Sequence, residues 1–186
     1  MALEKGELLY SGKAKSLYQT NDPSLLIVEF RDDTSAFNGV KLAQLEDKGA
    51  INNLISTHIM QALMAAGVKT HFVEYLSPTA VVVKKLKMIP LESVVRNMAA
   101  GSLCKRLGIE AGLVLDPPLF ELFLKSDALG DPMINRYHAL AFGWATEDQL
   151  DRIHTLSMQV NHVLKDLLAQ AGLTLVDSKY EFGVDE

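Results

Sequence analysis

The sequence is poor in cysteine, in long apolar runs and in net positive charge. Its single cysteine, Cys104, excludes an internal disulfide and fits a reducing compartment. No uninterrupted apolar run approaches the length needed to span a bilayer. The first residues also lack the apolar core of a signal peptide. Together these absences predict a cytoplasmic protein.

The charge balance and two missing motifs exclude further classes of protein. The 186 residues carry a net charge of −5, which argues against a general nucleic-acid binder because such proteins present a basic face. The His-Arg-Asp and Asp-Phe-Gly motifs of protein kinases are absent. The composition, 48% hydrophobic and 22% charged, is that of a globular protein with one sizeable core or two small lobes.

Strand and helix periodicities alternate along the chain. Residues 7–20 predict a β-hairpin, and residues 25–30 predict an apolar strand. A helix over residues 47–66 is predicted to carry one apolar face, formed by Ile51, Leu54, Ile55, Ile59 and Leu63. A capping box at Thr146 opens a longer helix that ends at Gly172, with a buried stripe of Leu150, Ile153, Leu156, Val160, Val163, Leu164 and Leu167. Further strands are predicted at residues 68–73, 80–86, 94–95, 119–124 and 173–182, a short helix at 103–107, and turns at 76–79, 116–118 and 130–132.

Residues 90–108 combine a strand, a basic side chain and a short helix. The strand ends at Arg96 and Asn97, small residues follow, and a basic helix begins near Ser102. A guanidinium and the N–H groups of a first helical turn both suit a phosphate or a carboxylate. The alternative is a polar strand end followed by an ordinary helix cap at Ser102, and these residues alone leave both interpretations open.

The last predicted strand carries an acid–base–acid row. Because side chains alternate between the two faces of a strand, Asp177, Lys179 and Glu181 fall on one face, and Val176, Tyr180 and Phe182 fall on the other. Two carboxylates beside a lysine suit Mg²⁺ that carries a polyphosphate, since hard cations prefer oxygen ligands. The alternative is a solvated strand face whose charges pair with one another.

Three connecting segments are also candidates for ligand contacts. Residues 11–15 are predicted to form a tight turn from which Lys13 and Lys15 project toward a ligand, or which is simply a solvated basic turn. Residues 31–39 form a polar loop with two adjacent acids, which suits a cation, a substrate amine or a linker rich in capping residues. Residues 88–92 are consistent with a hinge between lobes that borders a nucleotide base, or with a plain bend between strands.

Five motifs in register give these pieces a common context. They are Leu-Tyr-Ser-Gly-Lys-Ala-Lys-Ser-Leu-Tyr (9–18), Arg-Asp-Asp-Thr-Ser-Ala-Phe-Asn-Gly (31–39), Val-Val-Arg-Asn-Met-Ala-Ala-Gly-Ser-Leu (94–103), Phe-Glu-Leu-Phe-Leu-Lys-Ser-Asp (120–127) and Leu-Val-Asp-Ser-Lys-Tyr-Glu-Phe-Gly (175–183). In this order they make the chain closely resemble the SAICAR synthetase family of de novo purine synthesis over almost its whole length.

The resemblance implies an α+β fold with two lobes, antiparallel sheets, flanking helices and a nucleotide cleft similar to those of ATP-grasp enzymes and kinases. It implies a β-rich ATP-binding lobe with one helix over residues 1–87 and an α/β substrate lobe over residues 88–186. The implied reaction joins L-aspartate to the ribonucleotide CAIR through an acyl phosphate, with ATP and Mg²⁺, and gives SAICAR, ADP and phosphate. A homodimer and small-molecule substrates are the implied partners.

The resemblance also carries site residues onto this sequence. Contacts to ATP are implied for Gly12, Lys13, Lys15, Lys85, Met88 and Glu92. Contacts to the ribonucleotide are implied for Arg96 and Ser102, at its 5′-phosphate, with Lys125 and Asp127 behind them. The catalytic residues implied are Asp177, Lys179 and Glu181, with Asp177 and Glu181 as the metal ligands.

The chain departs from the family pattern at its end. Family members usually continue past the Glu-Phe-Gly motif into a segment with a further metal-directed Asp and a second phosphate-binding Arg, whereas this sequence ends at Glu186. The second lobe is therefore expected to be truncated. A catalytically impaired, nucleotide-binding remnant of the family is the alternative to an active ligase.

Overall fold

The computed structural model describes residues 3–36 and 41–185. Two compact units divide the chain, one covering residues up to Leu86 together with Asp185 and the other covering Lys87–Val184. Each unit combines antiparallel sheet with helix, so the predicted α+β class is confirmed. Within the described residues, no helix has both the length and the apolar composition needed to cross a bilayer.

The first unit is built on a five-stranded antiparallel sheet. Its elements are β1 (Lys5–Ser11), β2 (Lys15–Thr20), β3 (Leu25–Phe30), β4 (Asp33–Ala36), β5 (Lys41–Gln44), α1 (Lys48–Ala65), β6 (Phe72–Ser77) and β7 (Ala80–Lys84). The large sheet has the order β1-β2-β3-β7-β6, and β4 pairs with β5 separately. The hairpin and the 25–30 strand are confirmed, whereas the strand predicted at 68–73 begins only at Phe72 and extends to Ser77.

Helix α1 lies where the sequence predicts it, but it buries a different face. Asn53 and Thr57 are buried, whereas Leu54, in the predicted apolar face, is 64% exposed. Asn53 Nδ2 donates to the backbone oxygens of Ser77 (2.9 Å) and Pro78 (3.0 Å) at the β6–β7 turn. Asn53 itself is fully buried, so its amide donors need acceptors within the protein, and the turn carbonyls that supply them draw this face of α1 inward.

The start of α1 approaches the sheet too closely for a larger residue. A Cβ added to Gly49 would lie 2.8 Å from the backbone oxygen of Phe30. Gly49 and Asn53 therefore determine which face of α1 packs on the sheet, and that face carries small and polar residues. The predicted apolar face is wrong for Ile51, Leu54 and Ile55, which are each more than half exposed.

This orientation of α1 predicts unequal losses of stability when two leucines of the helix, Leu54 and Leu63, are replaced. Leu54→Lys is expected to change the free energy of unfolding by no more than about 0.5 kcal/mol, because it is a surface substitution. Leu63→Ala removes a side chain that is 4% exposed and is expected to cost about 2–5 kcal/mol. Urea unfolding of both variants measures the difference, and equal costs would contradict the orientation described.

Residues 33–36 form a strand instead of the predicted polar loop, and residues 37–39 of that loop lie outside the described part of the chain. β4 pairs with β5 through Asp33 opposite Gln44 and Thr34 opposite Ala43. Asp32 Oδ1 accepts a hydrogen bond from the Gly49 N–H at 2.8 Å, in the first turn of α1. Asp33 Oδ2 lies 3.0 Å from Arg31 Nε. The two adjacent acids thus contact different protein groups and do not converge on a cation.

His71 makes the stability of the first unit depend on pH. Burial, and then the nearby charge of Lys15, hold the pKa of His71 below its usual value. In the unfolded chain a histidine takes up a proton near pH 6.5. The folded protein resists that proton, so this contribution to stability is complete above about pH 6.5 and is lost as the pH falls through that value toward the folded pKa.

We therefore expect the melting temperature of the His71→Asn variant to fall less than that of the unmodified protein between about pH 7.5 and pH 5.5. Melting curves in matched buffers measure this. His162→Asn is the control, because the His162 side chain is 79% exposed on a helix of the second unit. Equal pH dependence in the His71→Asn variant and the unmodified protein would contradict the assignment.

The second unit is built on a four-stranded antiparallel sheet with the order β10-β9-β8-β11. Its elements are β8 (Lys87–Met98), α2 (Gly101–Leu107), β9 (Val114–Leu124), a 3-10 helix (Asp127–Leu129), β10 (Met133–Ile134), α3 (Arg136–Ala141), α4 (Glu147–Gln170) and β11 (Asp177–Val184). The short helix near 103–107 is confirmed. Residues 88–92, the candidate hinge, lie inside β8.

Two features of this unit differ from the sequence expectation. The turn predicted at 116–118 lies within β9, where the pairing jumps from Met98 opposite Val114 to Arg96 opposite Leu119. Two prolines fit this irregular stretch because it has no regular ladder that would need their missing N–H groups. Helix α3 is not predicted from the periodicity, because its six residues, capped by Asn135 and His138, are too few to show an apolar repeat.

Helix α4 packs on one face of the four-stranded sheet, and the candidate site lies on the opposite face. Its Thr146–Gln149 capping box is confirmed, and its buried stripe includes Leu150 and Ile153, which pack with Leu91 and Leu122. Two buried polar contacts interrupt the stripe, Ser93 Oγ with Ser157 Oγ at 2.9 Å and Asn97 with Asn161 through two amide hydrogen bonds of 2.8 and 2.9 Å. The odd-numbered residues of β8 thus face α4, and the even-numbered ones lie on the opposite face.

Candidate functional site

The face of the second sheet opposite α4 carries a cluster of charged side chains. Strand register places Asp177 opposite Arg96, Lys179 opposite Val94 and Glu181 opposite Glu92. Glu121 on β9 lies opposite Val94 from the other side. The predicted alternation of the last strand is therefore confirmed, because its acid–base–acid row shares one face with the polar residues of β8.

Arg96 connects three elements through its guanidinium. Nε donates to Glu121 Oε2 at 2.8 Å, Nη1 to Asp177 Oδ2 at 2.8 Å and Nη2 to Ser102 Oγ at 3.2 Å. The Arg96 side chain is only 7% exposed, and these charge-assisted hydrogen bonds hold its guanidinium in one orientation. The interpretation of Ser102 as a helix cap is wrong, since Ala100 is the N-cap residue of α2 and makes no side-chain cap bond.

Glu121 is the buried acid at the centre of this arrangement. Its side chain is 2% exposed and it accepts from two guanidinium groups, one oxygen from Arg96 and the other from Arg106. A carboxylate buried to this degree stays charged only with strong partners. Two arginines supply them here.

Glu92 is a second buried acid that also bridges two cations. Its Oε1 accepts from Lys179 at 2.7 Å and from Lys125 at 3.3 Å, and Lys125 also donates to Glu181 Oε1 at 3.0 Å. The bond to Glu181 raises the pKa of Lys125, and Glu92 adds to that rise against the opposing effect of burial. Glu92, which the resemblance places beside ATP, thus lies within the ionic cluster.

The resulting ionic cluster balances four acids against four bases. The acids are Glu92, Glu121, Asp177 and Glu181, and the bases are Arg96, Arg106, Lys125 and Lys179. The two acids at its centre are buried, while the Lys179 side chain is 51% exposed. Every guanidinium and ammonium group carries more N–H donors than these contacts use. The cluster can therefore present cations of fixed position to an anion.

Asp177 and Glu181 can each bind a metal ion, but they cannot both bind the same one. Asp177 and Glu181 are four residues apart on one strand, a separation of about 13 Å, which is too long for both to coordinate one Mg²⁺ at about 2.1 Å. In the described ranges no group of three or more acid, histidine or cysteine side chains converges as a metal site. Mg²⁺ usually takes one or two protein carboxylates and completes its shell with phosphate and water, so either carboxylate alone suits that role.

In the first unit, the predicted phosphate loop is a tight connection between β1 and β2. The Gly12 N–H donates to the Lys15 backbone oxygen at 2.8 Å, and Arg31 donates to the Gly12 backbone oxygen. A Cβ on Gly12 would lie 3.1 Å from the Tyr10 ring, so a side chain there would push the ring aside. Lys13 and Lys15 are both exposed.

Three other predicted site residues take no part in the ion pairs of the ionic cluster. Lys85 is exposed and its N–H donates to the Ser24 backbone oxygen at 2.8 Å. Met88 is also exposed, at the start of β8. The Asp127 side chain is exposed at the start of the 3-10 helix, and no other residue of the described chain contacts it by hydrogen bond or ion pair.

Two residues of the ionic cluster escape the sequence reasoning. Glu121 stands in an apolar run, Phe120-Glu-Leu-Phe-Leu124, where a lone acid is a signal of a buried ion pair. Arg106 follows Ser102 by four residues, which places the two on one face of α2. The pairing of β8 with β9 and the face that α2 turns toward the sheet bring Glu121 and Arg106 together, and the sequence reveals neither.

Comparison with known proteins shows which family the chain is similar to. The family model for SAICAR synthetase matches residues 8–186. Phosphoribosylaminoimidazole-succinocarboxamide synthase from Coxiella burnetii is 64% identical over 180 residues, which cover 97% of this chain and 75% of that protein.

Two solved structures show the same fold. The crystal structure of phosphoribosylaminoimidazole-succinocarboxamide synthase from Ehrlichia chaffeensis superposes with a TM-score of 0.91 at 42% identity, covering 95% of this chain and 75% of that one. A SAICAR synthetase structure (Type-2) in complex with ADP also gives a TM-score of 0.91, at 45% identity, covering 97% of this chain and 76% of that one. This chain therefore belongs to the SAICAR synthetase family, whose members are ATP-dependent ligases of purine biosynthesis.

Proposed function

We propose that this chain joins L-aspartate to CAIR with the use of ATP and releases SAICAR, ADP and phosphate. The observation that carries the proposal is the ionic cluster of the second unit, in a chain that is 64% identical to a named synthase of this reaction. Four cations held by two buried acids suit a reaction in which both nucleotides are anionic. The family member solved with ADP supports nucleotide use.

The chemistry requires an activated carboxylate. A carboxylate is a poor acyl donor because its leaving group would be oxide, so an oxygen of the CAIR carboxylate attacks the γ-phosphorus and ADP departs. The amine of aspartate then attacks the carbonyl carbon of the acyl phosphate and loses a proton, and phosphate leaves with the former carboxylate oxygen. Catalysis of such transfers rests mainly on positioning and on neutralising charge.

In the second unit, we assign the ribonucleotide and the reacting carboxylate to the ionic cluster. Arg96 and Ser102, joined by a 3.2 Å hydrogen bond, would bind the 5′-phosphate. Lys179, which is half exposed and fixed by Glu92 at 2.7 Å, would neutralise charge at the γ-phosphoryl group and the carboxylate. Lys125 and Asp127, which follow the end of β9, would make further contacts to the ribonucleotide.

In the first unit, we assign the ATP phosphates to the connection between β1 and β2. Gly12 keeps this loop narrow, and Lys13 and Lys15 are exposed beside it. Lys85, and Met88 and Glu92 of β8, would contact the adenine. The ATP phosphates would thus be bound by residues 1–87, and the ribonucleotide and aspartate by residues 88–186.

A magnesium ion fits the proposal with one protein carboxylate. Asp177, whose side chain is 40% exposed, would be that ligand, with Glu181 acting through Lys125. When bound, the ion would neutralise the charge of the ATP phosphates.

The cellular setting follows from the reaction and the composition. We place the protein in the cytoplasm, which suits a single unpaired cysteine, and we propose that it is a homodimer. The molar mass in solution, measured by light scattering, tests the oligomeric state.

Omission of single substrates tests the proposed reaction. With ATP, CAIR and aspartate together, we expect stoichiometric release of ADP and formation of SAICAR. Without CAIR or without aspartate, SAICAR formation should be absent and sustained ADP release should fall to background. Release of ADP that depends on neither CAIR nor aspartate would contradict the proposed ligase reaction, even if ATP still raised the melting temperature.

A further inference from the structure

The environment of Glu121 extends the proposed anion site beyond the residues carried over from the family motifs. Glu121 is buried, and each of its oxygens faces a different guanidinium group, Arg96 on β8 and Arg106 on α2. Because both guanidinium groups bind oxygens of the same carboxylate, they lie close to each other. Their positions are thus fixed relative to each other by a group that solvent does not reach.

We propose that Glu121 is a positioning residue that holds Arg96 and Arg106 side by side, and that Arg106 is a further contact for the phosphate monoester of the ribonucleotide. This inference rests on the proposed function, since the ligand it names is the ribonucleotide of that reaction.

The geometry of α2 supports the role of Arg106. Ser102 and Arg106 are four residues apart and so lie on one face of the helix. The first contacts Arg96 and the second contacts Glu121, so this face of α2 is turned toward the Arg96 guanidinium. Ser102 is exposed, which leaves its hydroxyl accessible to a ligand beside both arginines.

The donors of the two arginines are only partly used. Arg106 Nη2 donates to Glu121, and in residues 3–36 and 41–185 its guanidinium makes no other hydrogen bond or ion pair. Its side chain is 31% exposed. A guanidinium has five N–H groups in a planar fork, so Arg106 retains donors for the phosphate oxygens, which such forks bind in a bidentate manner.

A purely structural ion pair is the competing explanation, and it predicts a different result. Buried ion pairs contribute little net stability compared with apolar residues of similar volume. If Glu121 served only folding, its loss would reduce the amount of active protein and leave each KM unchanged. If it positions the two arginines, its loss raises the KM for the ribonucleotide selectively.

The test uses Arg106→Gln and Glu121→Gln in the full chain, with Glu147→Gln as the matched control. Glu147 is an exposed acid paired with Arg136 in the same unit, and its replacement is expected to leave every kinetic constant unchanged. For Arg106→Gln and Glu121→Gln we expect the KM for CAIR to rise roughly tenfold, with the KM for ATP unchanged. Arg106→Gln is also expected to lower the melting temperature, because buried Glu121 then keeps only Arg96, so each KM is measured well below the melting temperature of its variant. An unchanged KM for CAIR in Arg106→Gln, or equal rises for CAIR and ATP, would overturn the inference.

A direct binding measurement separates this inference from the proposed function. Ribose 5-phosphate, a phosphate monoester without the reacting carboxylate, is titrated calorimetrically into the unmodified protein and into Arg106→Gln. Weaker binding by the variant supports the inference even if the unmodified protein forms no SAICAR, a result that would sink only the ligase. Equal affinities would overturn the inference while SAICAR formation stood. Should Glu121→Gln fail to fold, Arg106→Gln decides alone, since Glu121 then keeps its bond to Arg96.

Discussion

Replacement of Arg96 by methionine is expected to lower the free energy of unfolding by about 3–5 kcal/mol and to abolish ribonucleotide binding. Arg96 is the partner of Glu121, which is 2% exposed. Without Arg96 that acid keeps only Arg106, so a buried charge loses half of its compensation. The hydrogen bonds to Asp177 and Ser102 are lost as well. Urea unfolding and calorimetric titration with CAIR measure the two effects.

Arg136 provides the matched control for this prediction. It also pairs with two acids, Glu147 and Asp151, but both acids are about two-thirds exposed. Exposed ion pairs contribute at most about 1 kcal/mol, so Arg136→Met should cost no more than that and leave CAIR binding intact. Equal losses of stability for the two arginine variants would show that burial of Glu121 is not the cause.

A double variant separates stability from binding. In Arg96→Met with Glu121→Leu, the buried charge is removed together with its partner, and apolar replacements of buried pairs are often neutral or stabilising. We expect most of the lost stability to return while CAIR binding stays absent. Recovery of binding in the double variant would mean that Arg96 does not contact the ribonucleotide.

Replacement of Lys179 by methionine is expected to lower kcat by about 100–1000-fold and to lower the free energy of unfolding by about 1–3 kcal/mol. The Lys179 side chain is 51% exposed, but Glu92 is buried and then keeps only Lys125, at 3.3 Å. The loss of kcat should be one of charge neutralisation during phosphoryl transfer. Lys165→Met, at an exposed lysine of α4, is the control. A variant at Lys179 that retained normal kcat would remove this residue from the reacting centre.

Periodicity predicted one helix well and the other poorly, and the reason is physical. In α4, the apolar stripe through Leu150, Ile153 and Leu164 packs inward, because the strands beneath it supply an apolar surface. In α1, the fully buried Asn53 amide needs acceptors, and the carbonyls of the β6–β7 turn supply them. An apolar period of 3.6 residues carries no information about such a carbonyl, so the buried face of α1 could not be read from sequence.

The candidate site was predictable where it lay on a single element. Strand alternation placed Asp177, Lys179 and Glu181 on one face, and the structure agrees. Glu121 and Arg106 could not be assigned, because their meeting depends on the pairing of β8 with β9 and on the face that α2 turns toward the sheet. The roles of all these residues in binding and catalysis are predictions that the variants above test.

The fate of one oxygen atom tests the central claim most directly. If the CAIR carboxylate is phosphorylated before aspartate attacks, CAIR labelled with ¹⁸O in that carboxylate should transfer one labelled oxygen to each molecule of phosphate released. Mass spectrometry of the phosphate measures this transfer in a single turnover. Labelled phosphate formed in step with SAICAR is the result we expect. Unlabelled phosphate, with both labelled oxygens still in unreacted CAIR while ADP accumulates, would contradict the account.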